Sequence, residues 1–509
     1  MIPCEALHAV RRHRWHLAAP VLTALALAPS SNLAGQELPA SGSATERFDP
    51  RRPPAQELET RVPDGFTLAA VGDLITTRPL AQTLPADPDF AAIVRILQGA
   101  DAAFGNFETT AIELSRFAGQ SYPGRDDWPL VALPRVAQDL RALGFDLVSR
   151  ANNHAMDYGI EGMRETSRWL DEAGIVHAGT GETRGEARAA RYLEAPAARI
   201  GLVSMASTYR DYADALPSHG RAPGRPGINA LRTTKTVIVT PEMLGQLRAL
   251  KEALGAPGKS CEMPEREAER RRQAAEKASE ALTVFETSFR AGARAAVQYE
   301  MNPIDLEEIL HSVRLGKQHS DLLVATIHSH ETGLGCEEPG DFLPTLARAA
   351  IDAGAGVFIG TGEHRLMPIE IYKGRPIFYG LANFFWSDMQ EALPADLFEA
   401  QREVLAKAFG SAAKPTDADL NAVMNATAFD DARVFQTVVA VCRWERGKAA
   451  EVRLQPVDLG YGLPLTKSGT PRLAPPAMAR SILERLQRIS KPYGTTIEIE
   501  GSVGVIRIP

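Results

Sequence analysis

Cysteine is scarce in this sequence, and its spacing follows no paired pattern. The cysteines among the 509 residues are Cys4, Cys261, Cys336 and Cys442, and Cys4 lies in a leader-like N-terminal segment. The three that remain predict neither a disulfide framework nor a thiolate zinc site. One bridge, for example between Cys261 and Cys336, is still compatible with the sequence.

Basic residues and long apolar runs are also in short supply. Lys and Arg total 56 against 63 Asp and Glu, which gives a net charge of −7. Because nucleic-acid binding requires a basic surface, this balance argues against nucleic acid as a partner. Beyond the N-terminus, no run reaches the roughly 18 apolar residues of a membrane-spanning helix. An anionic substrate is still compatible with this charge, because a metal ion or a local arginine cluster can supply positive charge.

The N-terminus has the pattern of a secretory signal peptide. A basic patch, Arg11–His16, precedes the apolar stretch Leu17–Ala28, and small residues follow. This order predicts a signal peptide over residues 1–34 and a mature protein that is periplasmic or secreted. An uncleaved membrane anchor is the alternative. Residues 35–64 are rich in proline, glycine, serine and charge, which predicts a flexible linker.

From residue 66 onward, apolar strands alternate with helical patterns. The first predicted strands are Phe66–Gly72, Ala102–Phe104, Phe145–Val148, Ile175–His177 and Arg199–Met205. The predicted helices between them are Pro88–Gln98, Pro134–Leu143 and Ile160–Ala173. The alternation resumes with Leu322–Ile327, Leu343–Ala353 and Val357–Ile359. This order predicts an α/β domain with a largely parallel sheet covered by helices.

Two regions depart from this alternation. Residues from about 212 to 315 predict a helical insertion, because Glu265–Ala281 is charged, alanine-rich and free of glycine and proline. Further on, Val434–Trp444 and Ala449–Val457 predict a hairpin, and Ala477–Ile489 predicts a helix before a last β segment. The predicted domain therefore spans residues 65–460, with a C-terminal extension of β-hairpin and helix over residues 461–509.

Polar side chains follow five of the predicted strands. They are Asp73, Glu108, the run Asn152-Asn153-His154, His328 and His364. Because the carboxyl ends of parallel strands meet at one edge of a sheet, we expect these side chains to converge on one site. A set of oxygen and nitrogen donors without cysteine favours Mn, Mg, Fe or Zn as a divalent cofactor.

Six segments also carry a family resemblance. They are Val71-Gly72-Asp73, Gly105–Glu108, Ala151–Gly159, Arg225–Asn229, His328–Glu331 and Pro368–Phe384. In this order they resemble the CapA family of poly-γ-glutamate capsule synthesis proteins, whose domain is similar to the metallophosphoesterase fold. The resemblance implies a metallophosphoesterase-like four-layer α/β-β-α sandwich. It also implies an extracytoplasmic role in capsule or exopolymer assembly, with a membrane-bound capsule synthesis complex as partner.

The resemblance further implies which residues line the site. The expected metal ligands are Asp73, Glu108, Asn153, His328 and His364. Two positions depart from the metallophosphoesterase pattern. Ile75 stands where a histidine is expected after the first aspartate, and Thr361 replaces the histidine that begins the last motif. These departures favour one ion, or a weakly held pair, over a full two-metal site.

Further residues are predicted to transfer a proton and to bind the substrate. His154, or His330 with Glu331 behind it, is the predicted acid or base beside a metal-activated water. The side chains predicted to bind an anionic substrate are Arg78, Arg150, Asn152 and Arg365. Each histidine could instead be a buried ring bonded to backbone, and each arginine a solvated surface residue.

Three functions are compatible with this sequence. A bound ion could polarise the carbonyl of a γ-glutamyl amide, or it could bind the oxygens of a phosphoester. The substrate would then be an anionic polymer or a small phosphorylated or glutamyl compound. The third function is a non-catalytic scaffold that holds a nascent polyanion. The histidines and carboxylates favour catalysis, whereas the two substituted positions favour the scaffold.

Overall fold

A computed structural model describes residues 58–121, 128–254, 281–285, 287–387, 389–390, 393–412, 414–428 and 431–509. The predicted signal peptide, most of the predicted linker and nearly all of the predicted helix Glu265–Ala281 lie outside these ranges. Cys336 is disulfide-bonded, and Cys442 is a buried free thiol. Cys261, the candidate partner of Cys336, lies outside the described residues.

The strands extend from residue 67 to residue 507. The strands of the first half are β1 Thr67–Thr76, β2 Ala102–Asn106, β3 Thr110–Ala111, β4 Val131–Ala132, β5 Leu147–Ser149, β6 Val176–Ala178, β7 Thr180–Gly181, β8 Arg191–Glu194, β9 Arg199–Ala206, β10 Gly227–Ile228, β11 Thr233–Val239 and β12 Leu282–Val284. Those of the second half are β13 Thr287–Ala291, β14 Ala296–Met301, β15 Leu322–His328, β16 Val357–Thr361, β17 Ile369–Tyr372, β18 Arg375–Phe378, β19 Asn383–Ser387, β20 Gln436–Glu445, β21 Lys448–Asp458, β22 Arg472–Leu473, β23 Glu498–Glu500 and β24 Val503–Arg507.

Helices separate many of these strands. The α-helices are α1 Pro88–Gln98, α2 Val136–Ala142, α3 Gly159–Glu172, α4 Arg184–Arg188, α5 Pro241–Ala253, α6 Pro303–Gln318, α7 Phe342–Asp352, α8 Ala395–Ala400, α9 Arg402–Phe409, α10 Asp417–Ala428 and α11 Pro476–Ser490. Proline at the first position of α1, α5, α6 and α11 fits a helix start, where its missing N–H is not needed. In the part of the chain that is described, no helix combines the length and apolar character needed to cross a bilayer.

Two large sheets form the centre of the fold. The ten-stranded sheet runs β23-β24-β21-β20-β1-β2-β5-β6, with β19 added beside β1 and β22 beside β21. The six-stranded sheet runs β17-β18-β16-β15-β9-β8. The central strands of both sheets are parallel, whereas β20 and β21 join the first sheet antiparallel. The predicted α/β fold is therefore confirmed.

Side-chain alternation on the central strands produces four layers. Leu68 of β1 lies in one buried cluster with Leu202 and Val324 of the six-stranded sheet, so the two sheets pack face to face. Val71 of β1 belongs instead to a cluster with α1 and α2. Val203 of β9 belongs to a third cluster with α6 and α7. The order helix, sheet, sheet, helix confirms the four-layer sandwich, and burial on both faces explains why its strands are apolar throughout.

The predicted helical insertion needs a partial correction. The segment contains α5 and α6, but β11 to β14 also form a four-stranded sheet in the order β12-β13-β11-β14. The strand Thr233–Val239 is rich in β-branched residues, which favour a pleated surface. The charged, alanine-rich stretch Glu265–Ala281 favoured a helical prediction for the whole segment, so this strand was not predicted.

Both predicted boundary segments are packed against the main fold. β24 pairs with β21, and α11 buries Leu483 and Leu486 in the cluster between the sheets. Near the other end, Val62 lies in the same cluster, and Arg61 donates its backbone N–H to Asp321. The described end of the predicted flexible linker is therefore part of the core. The extension after residue 460 continues the main sheet.

Candidate metal centre

Asp73 is placed by an irregularity in β1. Its pairing register with β2 and β19 shifts at this residue, and a Cβ on Gly72 would lie 1.7 Å from the carbonyl oxygen of Ala382. Only glycine permits this close approach of two backbones. The buried carboxylate accepts hydrogen bonds from Nδ2 of Asn106 at 2.8 Å and from the backbone N–H of Gly362 at 3.1 Å.

Glu108 lies two residues beyond β2 and is fully buried. Among the described residues, neither of its carboxylate oxygens has a hydrogen-bond partner. Burial, and then the nearby charge of Asp73, raise the pKa of Glu108 well above its ordinary value. Its Oε1 lies 3.6 Å from Nε2 of His328 and 4.0 Å from Nε2 of His154. A buried carboxylate without a donor is costly, so the position fits a cation bound between these groups.

His328 ends β15, and His330 lies two residues further along the chain. The Nδ2 atom of Asn106 is 3.1 Å from Nδ1 of His328, and the Nε2 atoms of the two histidines are 3.0 Å apart. Burial, and then the nearby imidazole of His330, hold the pKa of His328 well below 6.5. His328 is therefore neutral, as an imidazole that coordinates a metal must be.

His364 reaches the same centre from the loop after β16. Its φ of 54° lies in the left-handed region, which costs a non-glycine residue about 1–2 kcal/mol. Its Nδ1 lies 2.8 Å from Oδ1 of Asn383 and 3.4 Å from Oδ2 of Asp73. The edge of its ring packs against Trp386, with ring centroids 5.1 Å apart. Strained backbone held by surrounding contacts is a frequent feature of functional sites.

Two sets of potential ligands meet at Glu108. Glu108, His328 and His330 form the histidine group, and Asp73, Glu108 and His364 form the aspartate group; within each, one donor atom per residue lies within 4.8 Å of the others. The structure therefore brings together four of the five predicted ligands and adds His330, which the sequence predicted as a proton-transfer residue. Carboxylate oxygens together with imidazole nitrogens suit a divalent transition metal.

The loop between β5 and α3 carries Asn153, the remaining predicted ligand. It also carries His154 and its partner Asp157. The Oδ1 atom of Asn153 is buried and has no hydrogen-bond partner among the described residues, as expected of an oxygen available to a cation. His154 directs Nε2 toward Glu108, while its Nδ1 lies 2.7 Å from Asp157. Asp157 also accepts a hydrogen bond from Nε of Arg210 at 3.3 Å. Asp157 therefore holds the imidazole of His154 in place through Nδ1.

Two predicted substrate-binding residues lie inside the protein instead. Arg150 is fully buried, donates to the carbonyl oxygen of Thr109, and its burial lowers the pKa of Arg150 to about 9. Asn152 is also fully buried and donates to Phe107 and Asn106. Their hydrogen bonds connect the loop to Thr109, Phe107 and Asn106, so both side chains support the residues around the ligands. Their predicted role in substrate binding remains a prediction.

The other two predicted substrate-binding residues are arginines at the edge of the site. Arg78 donates to the hydroxyl of Ser387 and to the carbonyl oxygen of Thr466. Arg365 follows His364 in the chain and donates to Asp431 at 2.6 Å. Both arginines are partly exposed, so a role in binding an anion remains a prediction.

Glu331 organises the loop that carries His330. Its Oε2 accepts hydrogen bonds from the hydroxyls of Ser207, Thr208 and Ser329 at 2.7, 2.9 and 2.9 Å. Thr208 in turn accepts the backbone N–H of His330 at 2.8 Å. The carboxylate of Glu331 therefore stabilises the backbone around His330, and its predicted role in proton transfer remains a prediction.

The two departures from the metallophosphoesterase pattern have structural explanations. Ile75 is buried in the apolar cluster against α1 and α2, so it faces away from the ligands. Thr361 lies at the end of β16, with its hydroxyl 3.5 Å from Nδ1 of His328. Neither side chain replaces the missing imidazole as a ligand.

Three residues that support the site escaped the sequence prediction. Asn106 connects Asp73 to His328, Asn383 contacts His364, and Asp157 contacts His154. Each lies within a segment that already drew attention in the sequence. In the sequence, each of these residues is an amide or carboxylate that lies one to three positions from a predicted ligand or at the start of a strand. Such a position does not show where the side chain points.

The fold and this group of ligands agree with the comparison to known proteins. Residues 67–387 match the family model described as Bacterial capsule synthesis protein PGA_cap. The chain belongs to this capsule synthesis family. Uncharacterized protein y4sH of Sinorhizobium fredii is 44% identical over 452 residues, covering 88% of this chain and 94% of that protein.

More distant members of the capsule synthesis family have names that state a role. PGA biosynthesis protein CapA of Bacillus subtilis is 23% identical over 333 residues, covering 64% of this chain and 65% of that protein. Capsule biosynthesis protein CapA of Bacillus anthracis is 22% identical over 324 residues, covering 63% and 59%. The predicted CapA resemblance is therefore confirmed at the level of the family.

Proposed function

We propose that this protein is a metal-dependent hydrolase of capsule synthesis that acts on an anionic glutamyl polymer outside the cytoplasm. The observation that carries the proposal is the position of Glu108, which is buried without a donor and belongs to both ligand groups. The family and the names of the Bacillus relatives support a polymer of the capsule as substrate. The signal-like pattern of residues 1–34 supports the location.

The chemistry would be divided between ligands and a proton-transfer pair. The residues that would hold the ion are Asp73, Glu108, Asn153, His328, His330 and His364. A bound divalent ion supplies a nucleophile at neutral pH by lowering the pKa of water from 15.7 to about 7. His154 would move a proton at Nε2, the atom that faces Glu108. Asp157 would orient the ring through Nδ1, as the carboxylate of a catalytic triad does.

A non-catalytic scaffold is the second candidate function. It is favoured by Ile75 and Thr361, because each stands at a position where the metallophosphoesterase pattern has a histidine. A scaffold in a membrane-bound synthesis complex would use the same ion to hold carboxylates of the polymer. The two candidates differ in whether bonds of the polymer are broken.

Elemental analysis of the purified protein tests the metal centre. We expect a divalent metal in the native protein and its loss in Asp73→Ala, because Asp73 belongs to one ligand group and contacts the support of the other. Glu194→Ala is the matched control, since this side chain is 69% exposed and far from the ligands in the fold. Unchanged metal content in Asp73→Ala would contradict the proposal.

Activity assays then separate the candidate functions. The hydrolase should shorten poly-γ-glutamate when manganese is added and leave a generic aryl phosphate intact. Asp157→Asn should keep its metal but react more slowly by about 10²–10⁴-fold, the usual contribution of an acid or base. Hydrolysis of the aryl phosphate alone would indicate a phosphoesterase. Binding of the polymer without shortening would indicate the scaffold.

A further inference from the structure

A cluster of four arginines lies beside the metal centre, on the side of His364. This arginine patch consists of Arg365, Arg433, Arg485 and Arg488. Its last three members lie beyond residue 387, where the match to the family model ends. The patch is therefore built by the C-terminal part of the chain, which also supplies strands to the main sheet.

Direct contacts join the patch to the metal centre. Asn383 contacts Nδ1 of His364 through its Oδ1 and donates through its Nδ2 to the carbonyl oxygen of Val434, the residue after Arg433. Arg365 and Arg433 both donate to the carboxylate of Asp431, at 2.6 and 2.7 Å. An anion bound at Arg433 or Arg365 would therefore lie next to the loop that carries His364.

The positive charge of the patch exceeds its internal negative charge. Asp431 pairs with Arg365 and Arg433, and Glu337 lies 3.5 Å from Arg433 and 3.2 Å from Arg488. Four guanidinium groups thus meet two carboxylates, in a protein whose net charge is −7. Burial by itself would raise the pKa of Asp431, but hydrogen bonds from the two arginines hold it well below its ordinary value.

Arg485 gives a second, independent indication of a ligand. Its side chain is only 8% exposed, and among the described residues its Nε and Nη2 have no hydrogen-bond partner. Arg488 lies one turn further along α11, and the charged groups that affect the pKa of Arg485 are Glu337, Arg433, Arg488 and Asp431, so Arg485 belongs to the same patch. Buried arginine donors are normally paired, and an incoming carboxylate would satisfy them.

We propose that the arginine patch binds carboxylates of an anionic glutamyl polymer and leads that chain to the metal centre. The choice of a polycarboxylate rests on the proposed function and on Asp431 and Glu337, which already show how carboxylates fit between these guanidinium groups. A chain with one carboxylate in each repeat can contact several arginines at once. The C-terminal extension is then part of the substrate-binding surface.

Binding of fluorescently labelled poly-γ-glutamate to the full-length protein at low ionic strength tests this proposal. The test variant is Arg433→Gln with Arg488→Gln, because these side chains are 50% and 66% exposed and can change without disturbing the core. The matched control is Arg480→Gln with Arg507→Gln, which also removes two positive charges. These two arginines pair with acidic residues outside the patch. We expect the test variant to bind about tenfold more weakly, which corresponds to about 1.4 kcal/mol.

The outcomes distinguish this proposal from the function of the site. If the test and control variants bind poly-γ-glutamate with equal affinity, the proposed role of the arginine patch is wrong, whatever the metal content of Asp73→Ala. If the test variant loses binding to phosphatidylglycerol vesicles but still binds poly-γ-glutamate, the ligand of the patch is a membrane surface and the proposed polymer ligand is wrong. Arginine-dependent polymer binding in a protein whose metal content does not respond to Asp73→Ala would support the patch and contradict the proposed metal centre.

Discussion

At the scale of single residues, the centre depends on two neighbouring buried carboxylates, one of which, Glu108, has no hydrogen-bond partner among the described residues. Glu108 and Asp73 lie close enough for the charge of Asp73 to raise the pKa of Glu108, and the buried imidazole of His328 beside Glu108 is held neutral by burial. Two adjacent buried carboxylates cannot both be ionised unless a cation lies between them, and without a cation one of them keeps its proton. The same arrangement that destabilises the metal-free protein therefore favours binding of a divalent ion.

Glu108→Gln is expected to stabilise the metal-free protein and to weaken metal binding. Since the folded protein keeps the proton on Glu108 at pH values where the unfolded chain has lost it, stability without metal should fall as pH rises above 4.5 toward the raised pKa. Glutamine removes this titration. The free energy of unfolding of Glu108→Gln should therefore exceed that of the native protein above pH 4.5, and the difference should grow as the pH rises toward the raised pKa of Glu108.

Urea unfolding in the presence of a chelator, repeated over a range of pH, measures this effect. Glu194→Gln serves as a control, because it removes an exposed carboxylate at a strand end. The prediction fails if Glu108→Gln shows the same dependence on pH as the native protein, or if it retains a full complement of metal.

Convergence of the site could be predicted from the sequence, whereas the direction of individual side chains could not. Asp73, Glu108 and His328 were expected together because each follows a strand of a parallel sheet, and that rule depends only on strand order. Arg150 and Asn152 follow a strand in the same way, yet their side chains donate hydrogen bonds to Thr109, Phe107 and Asn106 and do not join the ligand groups. Side-chain direction after a strand depends on the loop's tertiary contacts, which spacing does not reveal.

At the scale of elements, the register shift in β1 determines where the first ligand points. The strand continues to Thr76, four residues beyond its predicted end, because β19 adds alongside it and pairs with its last residues. Helices with a clear apolar face were predicted closely, α1 to the residue. Strand ends were predicted less closely, because partners distant in sequence extend them. The register shift itself has no signal in the sequence beyond Gly72.

Gly72→Ala is expected to disrupt this irregularity. The added Cβ would collide with the backbone of Ala382, which cannot move as a flexible side chain could, so β1 and β19 must separate. We expect a loss of about 2–3 kcal/mol in the free energy of unfolding, as for overpacking elsewhere. Metal content should also fall, because Asp73 is the next residue.

Gly245→Ala provides the matched control. Gly245 lies on the exposed face of α5 with nothing within 4 Å of an added Cβ, so the substitution should stabilise by about 0.5–1 kcal/mol. Denaturant unfolding of both variants and elemental analysis measure the difference. Equal stability and full metal content in Gly72→Ala would show that the two strands can separate without moving the ligand.

At the scale of the whole molecule, the C-terminal segment is packed against the core and extends the main sheet. Its strands β23 and β24 extend the ten-stranded sheet, and α11 covers the edge of the cluster between the two sheets. The sequence predicted the hairpin and the helix correctly, but it suggested a boundary at residue 460. Pairing between β21 and β24 joins residues that are 50 to 56 positions apart, which local sequence patterns do not indicate.

Deletion of residues 461–509 is therefore expected to prevent stable folding. The burial of Ile482, Leu483 and Leu486 would be lost, and each such side chain contributes about 1.5–3 kcal/mol. Their sum is comparable with the whole stability of an ordinary protein, about 5–15 kcal/mol. Purification and thermal unfolding of the shortened chain measure the effect. A cooperative transition at the native temperature would show that the extension is a separate unit.

Two point variants within α11 make this last prediction more specific. Leu483 packs against Gly504 of β24, so Leu483→Ala should cost about 2–5 kcal/mol by leaving a cavity between helix and sheet. Arg480→Ala on the exposed face of the same helix should change stability by less than about 0.5 kcal/mol. If both variants unfold at the same denaturant concentration, the helix does not hold the sheet. Loss of stability in Leu483→Ala alone would show that packing of α11 against β24 stabilises the protein.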